Sequence, residues 1–400
     1  GFVTEIGGPG SHTAIVAAGL EIPAVVGTGP FLTDVSGGEM VIIDGNQGVV
    51  ILQPDDDTLE QYQREAKAAQ DLQVSLQALR DLPAETSDGV RVKLLGTIEF
   101  PHEVQQCTER GCDGIGLYRT EFLYLGSDAE PTEEVHYNAY AQVVQSMPGK
   151  PVVMRTLDLG ADKMAHHPNP EDEHNPFLGL RSIRLALKNL PIFRTQLRAV
   201  LRASVLGDMH VMFPMVCTVR ELRQAKMVLA DVMEDLEESK IPFRKIPVGM
   251  IVEVPSAGMM IEHFVKEVDF VSIGTNDLVQ YSLAVDRSNK DVAELYNPCD
   301  PSVLKLMQLT IQAAQKQDIP VYVCGQMTSN PLFTMLLLGL GVRTMSVTPA
   351  AIPEVKHLCR SVTIAECEDI AHRALAMEHA RDIKVFLRER IKHLLPEQAG

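Results

Sequence analysis

Strand-length apolar runs in this chain stop, one after another, on residues able to hold an anion, a cation or a proton. The run FVSIG breaks at Gly274 into Asn276 and Asp277, and Arg287 follows Asp277 ten residues later. GIGLYRT delivers Arg119, VVMRTLD delivers Arg155, VGMIVEVP delivers Glu253 and VYVCG delivers Cys324. Reactive side chains at the carboxyl ends of several strands are the sequence pattern of a (β/α)8 barrel, whose site is built from the loops that follow the strands. An amide, a carboxylate and a guanidinium released together suit a small phosphorylated anion held with a divalent metal.

From Arg91 onward strand-like runs alternate with helical stretches, at 91–98, 113–120, 151–158, 210–216, 248–255, 270–277, 320–325 and 344–348. That alternation predicts an α/β fold of the (β/α)8 TIM-barrel type rather than an open sheet. Residues 1–55 are Gly-rich and lean to β structure. SHTAIVAAGL reads as a short helix, PAVVG and EMVIIDG as strands, and GNQGVVIL as a turn into a last strand. This is too little to close a core, and the chain opens at Gly1 in mid-pattern, so it reads as the C-terminal part of a small β/α domain. Residues 56–88 form the expected linker: Asp57 with Glu60 fits a capping box, and Leu59, Tyr62, Leu72, Leu76 and Leu79 fall on a helical period. Residues 89–400 are then the barrel with C-terminal helices, amphipathic from Thr363 to Leu395.

Composition sets limits on function. A chain of 400 residues with 45% hydrophobic content can bury one barrel and a smaller unit. A formal charge of −17 argues against nucleic-acid binding, since no basic stripe is available to neutralise phosphates. Seven cysteines without a C-x-x-C pair argue for reduced thiols in the cytoplasm, not for a disulfide framework or a zinc site. No apolar run reaches transmembrane length, so membrane insertion is not expected.

His12 lies in GGPGSHTAIVA, a turn running into an apolar helix. A helix N-terminus favours an anion, and an imidazole nitrogen placed there can carry a phosphoryl group. Alone, such a histidine is more often simply solvated, a cysteine on a barrel strand is more often a small buried hydrophobe, and two carboxylates can equally well neutralise neighbouring arginines.

The motifs taken together change that balance. LYRTEFLYL followed by PTEE, MRTLDLGADK, NPFLGLRSIR, MFPM, EVDFVSIGTNDLVQYSLAVDR and LYNPCDPSVL occur in order, and His12 sits in its own loop ahead of them. From Gly1 to about Leu395 the chain resembles the phosphoenolpyruvate-using phosphotransferases, and most closely the Enzyme I family of the sugar phosphotransferase system. The resemblance implies that phosphoenolpyruvate binds at the carboxyl ends of the barrel strands with Mg²⁺. Its phosphoryl group passes to His12, pyruvate leaves, and the histidine-containing phosphocarrier protein is phosphorylated next. Matched by motif, Arg119, Arg155 and Arg287 grip phosphate and carboxylate, assisted by Arg181, Lys163 and Asn276. Glu253 and Asp277 are the implied metal ligands, and Cys324 the implied proton donor to the enolate carbon. The resemblance also implies a homodimer formed through the barrel, and a small domain that swings on hinges expected near 52–57 and 82–90.

Four differences, one of them a dipeptide, depart from the family pattern. Pro9-Gly10 stand where Arg-Thr is usual, Ala18 replaces an arginine, Leu180 an aromatic residue and Gln326 a glutamate. The first two remove positive charge and a hydroxyl from around the phosphoimidazole, and Gln326 removes a negative neighbour of the thiol, which is expected to ease thiolate formation. Two other readings stay open: a pyruvate phosphate dikinase or phosphoenolpyruvate synthase, which share the histidine domain and barrel, and a non-catalytic phosphoenolpyruvate sensor with an altered histidine loop.

Overall fold

The computed structural model describes residues 1–7, 17, 22–31, 33, 35–45, 47–124, 129–160, 175–289, 291–392 and 394, with the side chains of 68, 69 and 71–75 outside that set. It divides into two compact units, Gly1–Ala78 and Leu79–Gly400. In the first, β1 (Phe2–Thr4) pairs in parallel with β2 (Ala24–Val26), and β3 (Val41–Asp44) forms an antiparallel hairpin with β4 (Val49–Leu52). The unit ends in a helix, Asp56–Gln77, whose cap is Asp55, two residues before the Asp57 that the sequence pattern suggests. The cap explains the shift: the Asp55 carboxylate accepts from the Thr58 N–H at 2.7 Å, so the first turn begins one residue after Asp55.

Eight parallel strands close the barrel of the second unit: β5 (Lys93–Ile98), β6 (Ile115–Tyr118), β7 (Val152–Arg155), β8 (Met209–Phe213), β9 (Val248–Val252), β10 (Phe270–Gly274), β11 (Val321–Cys324) and β12 (Thr344–Val347). The ring closes where β12 pairs with β5 in parallel, Thr344 opposite Lys93. All eight runs foreseen in the sequence are strands, mostly shorter at the carboxyl end, because the polar residues that follow turn out of the ladder into loops.

Successive side chains on a strand point to opposite faces, so residues two apart share one. Leu117, Val153, Met212, Ile251, Phe270 and Cys324 form one buried cluster, with Tyr322 packed against it, and Phe270 stacks on Tyr322 with centroids 5.1 Å apart. The outward residues, among them Leu94, Tyr118, Val152, Met154, Val211, Phe213 and Met250, join the larger core with the surrounding helices. This alternation places the site: Arg119 stands two residues beyond Leu117, Arg155 beyond Val153, and Glu253 beyond Ile251, each continuing the inner face past its strand's packed end.

The segment 82–90, expected as a hinge, is instead fastened within the barrel unit. The Val92 N–H donates to the Ala84 carbonyl at 2.8 Å, Thr86 and Val90 exchange hydrogen bonds, and Ser87 N–H reaches the Val362 carbonyl at 2.9 Å. Lys356 is 2% exposed, and its ammonium donates to the carbonyls of Leu79 (3.3 Å), Arg80 (2.8 Å) and Gly111 (3.0 Å). Three carbonyls satisfy all three of its N–H donors, which lets a lysine be buried there. The C-terminal region forms two helices, Ile364–Leu375 with a Thr363/Glu366 capping box, and Ala380–Ile391. Among the described residues no helix is long and apolar enough to cross a membrane.

Candidate active site

Arg155, the last residue of β7, is clamped on both sides. One Nη binds Glu121 at 2.9 Å and the other binds Asp158 at 2.8 Å. Asp158 also accepts from the Ser182 hydroxyl, and at 3.2 Å from Arg181, the residue that starts the helix Ser182–Lys188. Burial alone would raise the Asp158 carboxyl, but the guanidinium groups of Arg155 and Arg181 outweigh it and hold the group down to about 2. One carboxylate thus ties the strand-end Arg155 to the helix-capping Arg181. Neither arginine is saturated: among the described residues the Nε–H of Arg155 and that of Arg181 are buried without a hydrogen-bond partner, two donors that suit an anion. Arg181 also reaches the Tyr281 hydroxyl at 3.3 Å and lies over the Phe177 ring, 5.5 Å from its centroid.

Arg119 follows β6 and pairs with Glu99, which follows β5; both are about one-third exposed. Thus Arg119 belongs to the rim, whereas Arg155 and Arg181 lie deeper. Arg287 is exposed beyond the helix Thr275–Leu283, its backbone N–H donating to the Gln280 side-chain Oε1 at 3.3 Å, and its charge offsets part of the rise that burial gives the Asp277 carboxyl.

Glu253 and Asp277 are two further buried carboxylates of the site, at 1% and 8% exposure. Burial pushes Glu253 up to about 8, and the negative charges of Asp277 and Asp158 add to that. Asp277 is raised as well, by burial first and then by Asp158. The Glu253 carboxylate is aimed by the backbone: the Met215 N–H donates to Oε1 at 2.6 Å, and Met215 holds a φ of 56° to do so. Left-handed backbone at a non-glycine residue costs roughly 1–2 kcal/mol, so the fold tolerates strain here to point a donor at the carboxylate. Opposite, Gly274 leaves room for it; a Cβ there would lie 2.6 Å from Glu253 Oε2.

Cys324 ends β11, 3% exposed. Burial pushes its thiol up to about 11, although the Ser272 hydroxyl, donating to Sγ at 3.5 Å, favours the thiolate. The missing glutamate at 326 therefore does not leave a thiolate at neutral pH, because burial dominates; the Gln326 side chain is exposed. Gly325 follows with φ +107°, and a Cβ there would lie 2.8 Å from Asn276 Oδ1. This close approach lets the Gln326 N–H donate to Asn276 Oδ1 at 2.8 Å, which orients the amide with its NH2 free for other acceptors.

The structure therefore brings Arg155, Arg181, Glu253 and Asp277 into one network of mutual charge effects, with Cys324 among the groups that Glu253, Arg155 and Arg119 act on. His12 and Lys163, with Pro9-Gly10 and Ala18, lie outside the described residues. Sequence reasoning missed Asp158, Glu121 and the Met215 N–H. Asp158 carried a readable signal, an acid three residues past a strand-end arginine, whereas the Met215 donor depends on a backbone angle that no pattern reveals.

Residues 73–364 match the family described as PEP-utilising enzyme, PEP-binding domain, and residues 1–48 match PEP-utilising enzyme, mobile domain. A phosphoenolpyruvate-protein phosphotransferase of Priestia megaterium is 42% identical over 389 residues, covering 97% of this chain and 68% of that one. The chain belongs to the phosphoenolpyruvate-protein phosphotransferase family. Further members with that name are similar: one of Staphylococcus carnosus (strain TM300) at 42% identity, covering 98% of this chain and 69% of its own length, and one of Staphylococcus aureus (strain MSSA476) at 44%, covering 94% and 66%. This phosphotransferase-family chain thus spans about two thirds of the length of these relatives. The match to the mobile-domain family includes the His12 loop, and the match to the PEP-binding family includes every residue named above from Glu99 to Gln326.

Proposed function

We propose that this chain is an enzyme that moves the phosphoryl group of phosphoenolpyruvate to His12 and from there to the histidine-containing phosphocarrier protein, releasing pyruvate, in sugar uptake or its nitrogen-regulatory variant. The observation that carries the reading is the pair of buried Nε–H donors of Arg155 and Arg181 at the barrel's carboxyl end, without partners among the described residues and in one charge network with a buried cysteine that stays protonated. Planar guanidinium donors match both the carboxylate and the phosphate of such a substrate. The phosphorus–oxygen bond breaks as a phosphorus–nitrogen bond forms at the His12 imidazole, and the electron pair left on oxygen becomes the enolate of pyruvate. Cys324 gives its proton to the enolate carbon, and its thiolate regains one from solvent. Arg119 and Arg287, nearer solvent, and Lys163 complete the grip on the anion, with Asn276 offering its NH2.

The donor set fits Mg²⁺. Glu253 and Asp277 are hard oxygen ligands whose raised proton affinities a cation would relieve. Among the described residues no three carboxylate, imidazole or thiol groups are arranged around one metal position, so substrate oxygens and water must complete the shell. Bound there, the ion neutralises charge on the transferring group. Further parts of the proposal are a homodimer through the barrel, a cytoplasmic location, and pivots for the small unit near 52–57 and close to Ala78, where the first unit ends.

Isotope exchange tests the reading. With Mg²⁺ and unlabelled phosphoenolpyruvate, carbon-labelled pyruvate should become labelled phosphoenolpyruvate, and His12→Ala should abolish the exchange. Exchange that survives His12→Ala would remove His12 from the pathway; binding of phosphoenolpyruvate with no exchange would leave a sensor.

A further inference from the structure

A buried amide lies beneath the two anion-binding arms. Gln196, on the helix Leu190–Ala203, is 1% exposed and touches no atom of the proposed chemistry. Its Oε1 accepts from the Leu157 N–H at 2.9 Å, between Arg155 and Asp158 in the chain. Its Nε2 donates to the Thr120 hydroxyl at 3.0 Å and to the Tyr140 hydroxyl at 3.1 Å. Thr120, between Arg119 and Glu121, in turn donates to the Arg155 backbone carbonyl at 3.1 Å. The orientation of the amide is fixed chemically, because the Leu157 N–H can only be met by an acceptor, which leaves both Nε2 hydrogens for the two hydroxyls.

The far side of the network is closed. With its oxygen accepting from Gln196, the Tyr140 hydroxyl donates to His136 Nδ1 at 2.8 Å, and the remaining His136 Nε2–H faces the Tyr124 hydroxyl at 3.2 Å. Every donor and acceptor of the Gln196 amide that the geometry uses is matched by a group that cannot easily move, since Tyr140, His136 and Thr120 are all fully buried. A satisfied buried network of this kind fixes one conformation of the chain it holds.

We propose that Gln196 is a positioning residue for phosphoenolpyruvate binding: one amide holds the loops after β6 and β7 in register, so that Arg119, with Glu121 behind Arg155, and the Arg155–Asp158 pair meet the same anion. This rests on the proposed reading of the barrel as the phosphoenolpyruvate site. The single side chain joins two strand ends that sequence places 36 to 38 residues apart at Arg119–Arg155 and Thr120–Asp158. Without it, the Leu157 N–H and the Thr120 hydroxyl each lose a buried partner, and the register of the two loops is left to the Thr120–Arg155, Glu121–Arg155 and Glu121–Asp158 contacts, which hold it less firmly. A displacement of about 1 Å in such a grip costs on the order of 100-fold.

The test is calorimetric titration of the 400-residue chain with phosphoenolpyruvate and Mg²⁺, paired with the thermal midpoint of each variant. Gln196→Leu should weaken binding by about 10–100-fold. Tyr124→Phe cuts the same network at its distal end and keeps the ring packing, so it should bind with the affinity of the parent chain whatever its midpoint. Thr120→Val, close in shape, gives the same readout if Gln196→Leu does not fold. Parent-like affinity in a folded Gln196→Leu or Thr120→Val, or equal weakening in Tyr124→Phe, overturns the positioning role. Failure of the parent chain itself to bind phosphoenolpyruvate would instead refute the reading on which it rests.

Discussion

Replacing Gly274 with alanine should damage the site through one carboxylate. The added Cβ would lie 2.6 Å from Glu253 Oε2, 2.7 Å from Ile251 Cγ2 and 3.1 Å from Glu253 Cβ. Ordinary carbon contacts sit near ~3.5–4.0 Å, so Glu253 has to withdraw by about 1 Å. Ile251 cannot yield in its place, because it is packed inside the barrel at 1% exposure. Withdrawal stretches the 2.6 Å bond from the Met215 N–H, on which the strained φ of 56° at Met215 depends. Overpacking of a core costs about 1–3 kcal/mol and the weakened hydrogen bond about 1 kcal/mol more, for a total of about 2–4 kcal/mol. In a unit of this size that lowers the thermal midpoint by about 4–8 °C, at roughly 2 °C per kcal/mol. Cation-dependent binding of phosphoenolpyruvate should fall by about 100-fold, because the carboxylate has left its place. Scanning calorimetry and titration of Gly274→Ala check both. An unchanged midpoint with unchanged affinity would show that Gly274 is not the cradle of Glu253.

Four further outcomes follow from the same geometry. Arg155→Lys keeps the charge but cannot span Glu121 and Asp158 with one planar fork, so phosphoenolpyruvate affinity should drop by at least ~100-fold in a titration. Cys324→Ser should retain phosphoenolpyruvate binding while pyruvate release in a single turnover slows by about 100-fold or more, the range of a lost general acid. Burial lowers the His136 imidazole to about 4 from its ordinary 6.5, so below 6.5 the unfolded chain takes up a proton that the folded chain refuses. Stability is then full above pH 6.5 and falls between 6.5 and 4 by about 3 kcal/mol, a slope that urea unfolding should find reduced in His136→Phe. Lys356→Met strands the carbonyls of Leu79, Arg80 and Gly111, which should cost about 1–3 kcal/mol and speed tryptic cleavage after Arg80.

The barrel was legible because its signal is local. Each strand is a short, mostly apolar run, and several runs end on a polar residue that the alternation of the strand turns inward, as with Val153 and Arg155 or Ile251 and Glu253. Boundaries were less legible: the strand foreseen at 151–158 ends at Arg155, because Asp158 is drawn back onto the Arg155 guanidinium instead of continuing the ladder. Long-range contacts left no trace in the pattern. The Lys356 ammonium holds carbonyls at 79 and 80, some 276 residues away, and so turns an apparent polar linker into part of the barrel. The supports of the site were invisible for a similar reason. Gln196 reads as a polar residue on an amphipathic helix, and only packing shows that its amide is buried under two loops.

Phosphate-labelled phosphoenolpyruvate with Mg²⁺ tests the central claim most directly. The chain should acquire acid-labile label on His12, lose it to added phosphocarrier protein, and stay unlabelled as His12→Ala. Tight binding of phosphoenolpyruvate with no label on the intact chain would contradict phosphotransfer and leave the barrel as a binding site alone.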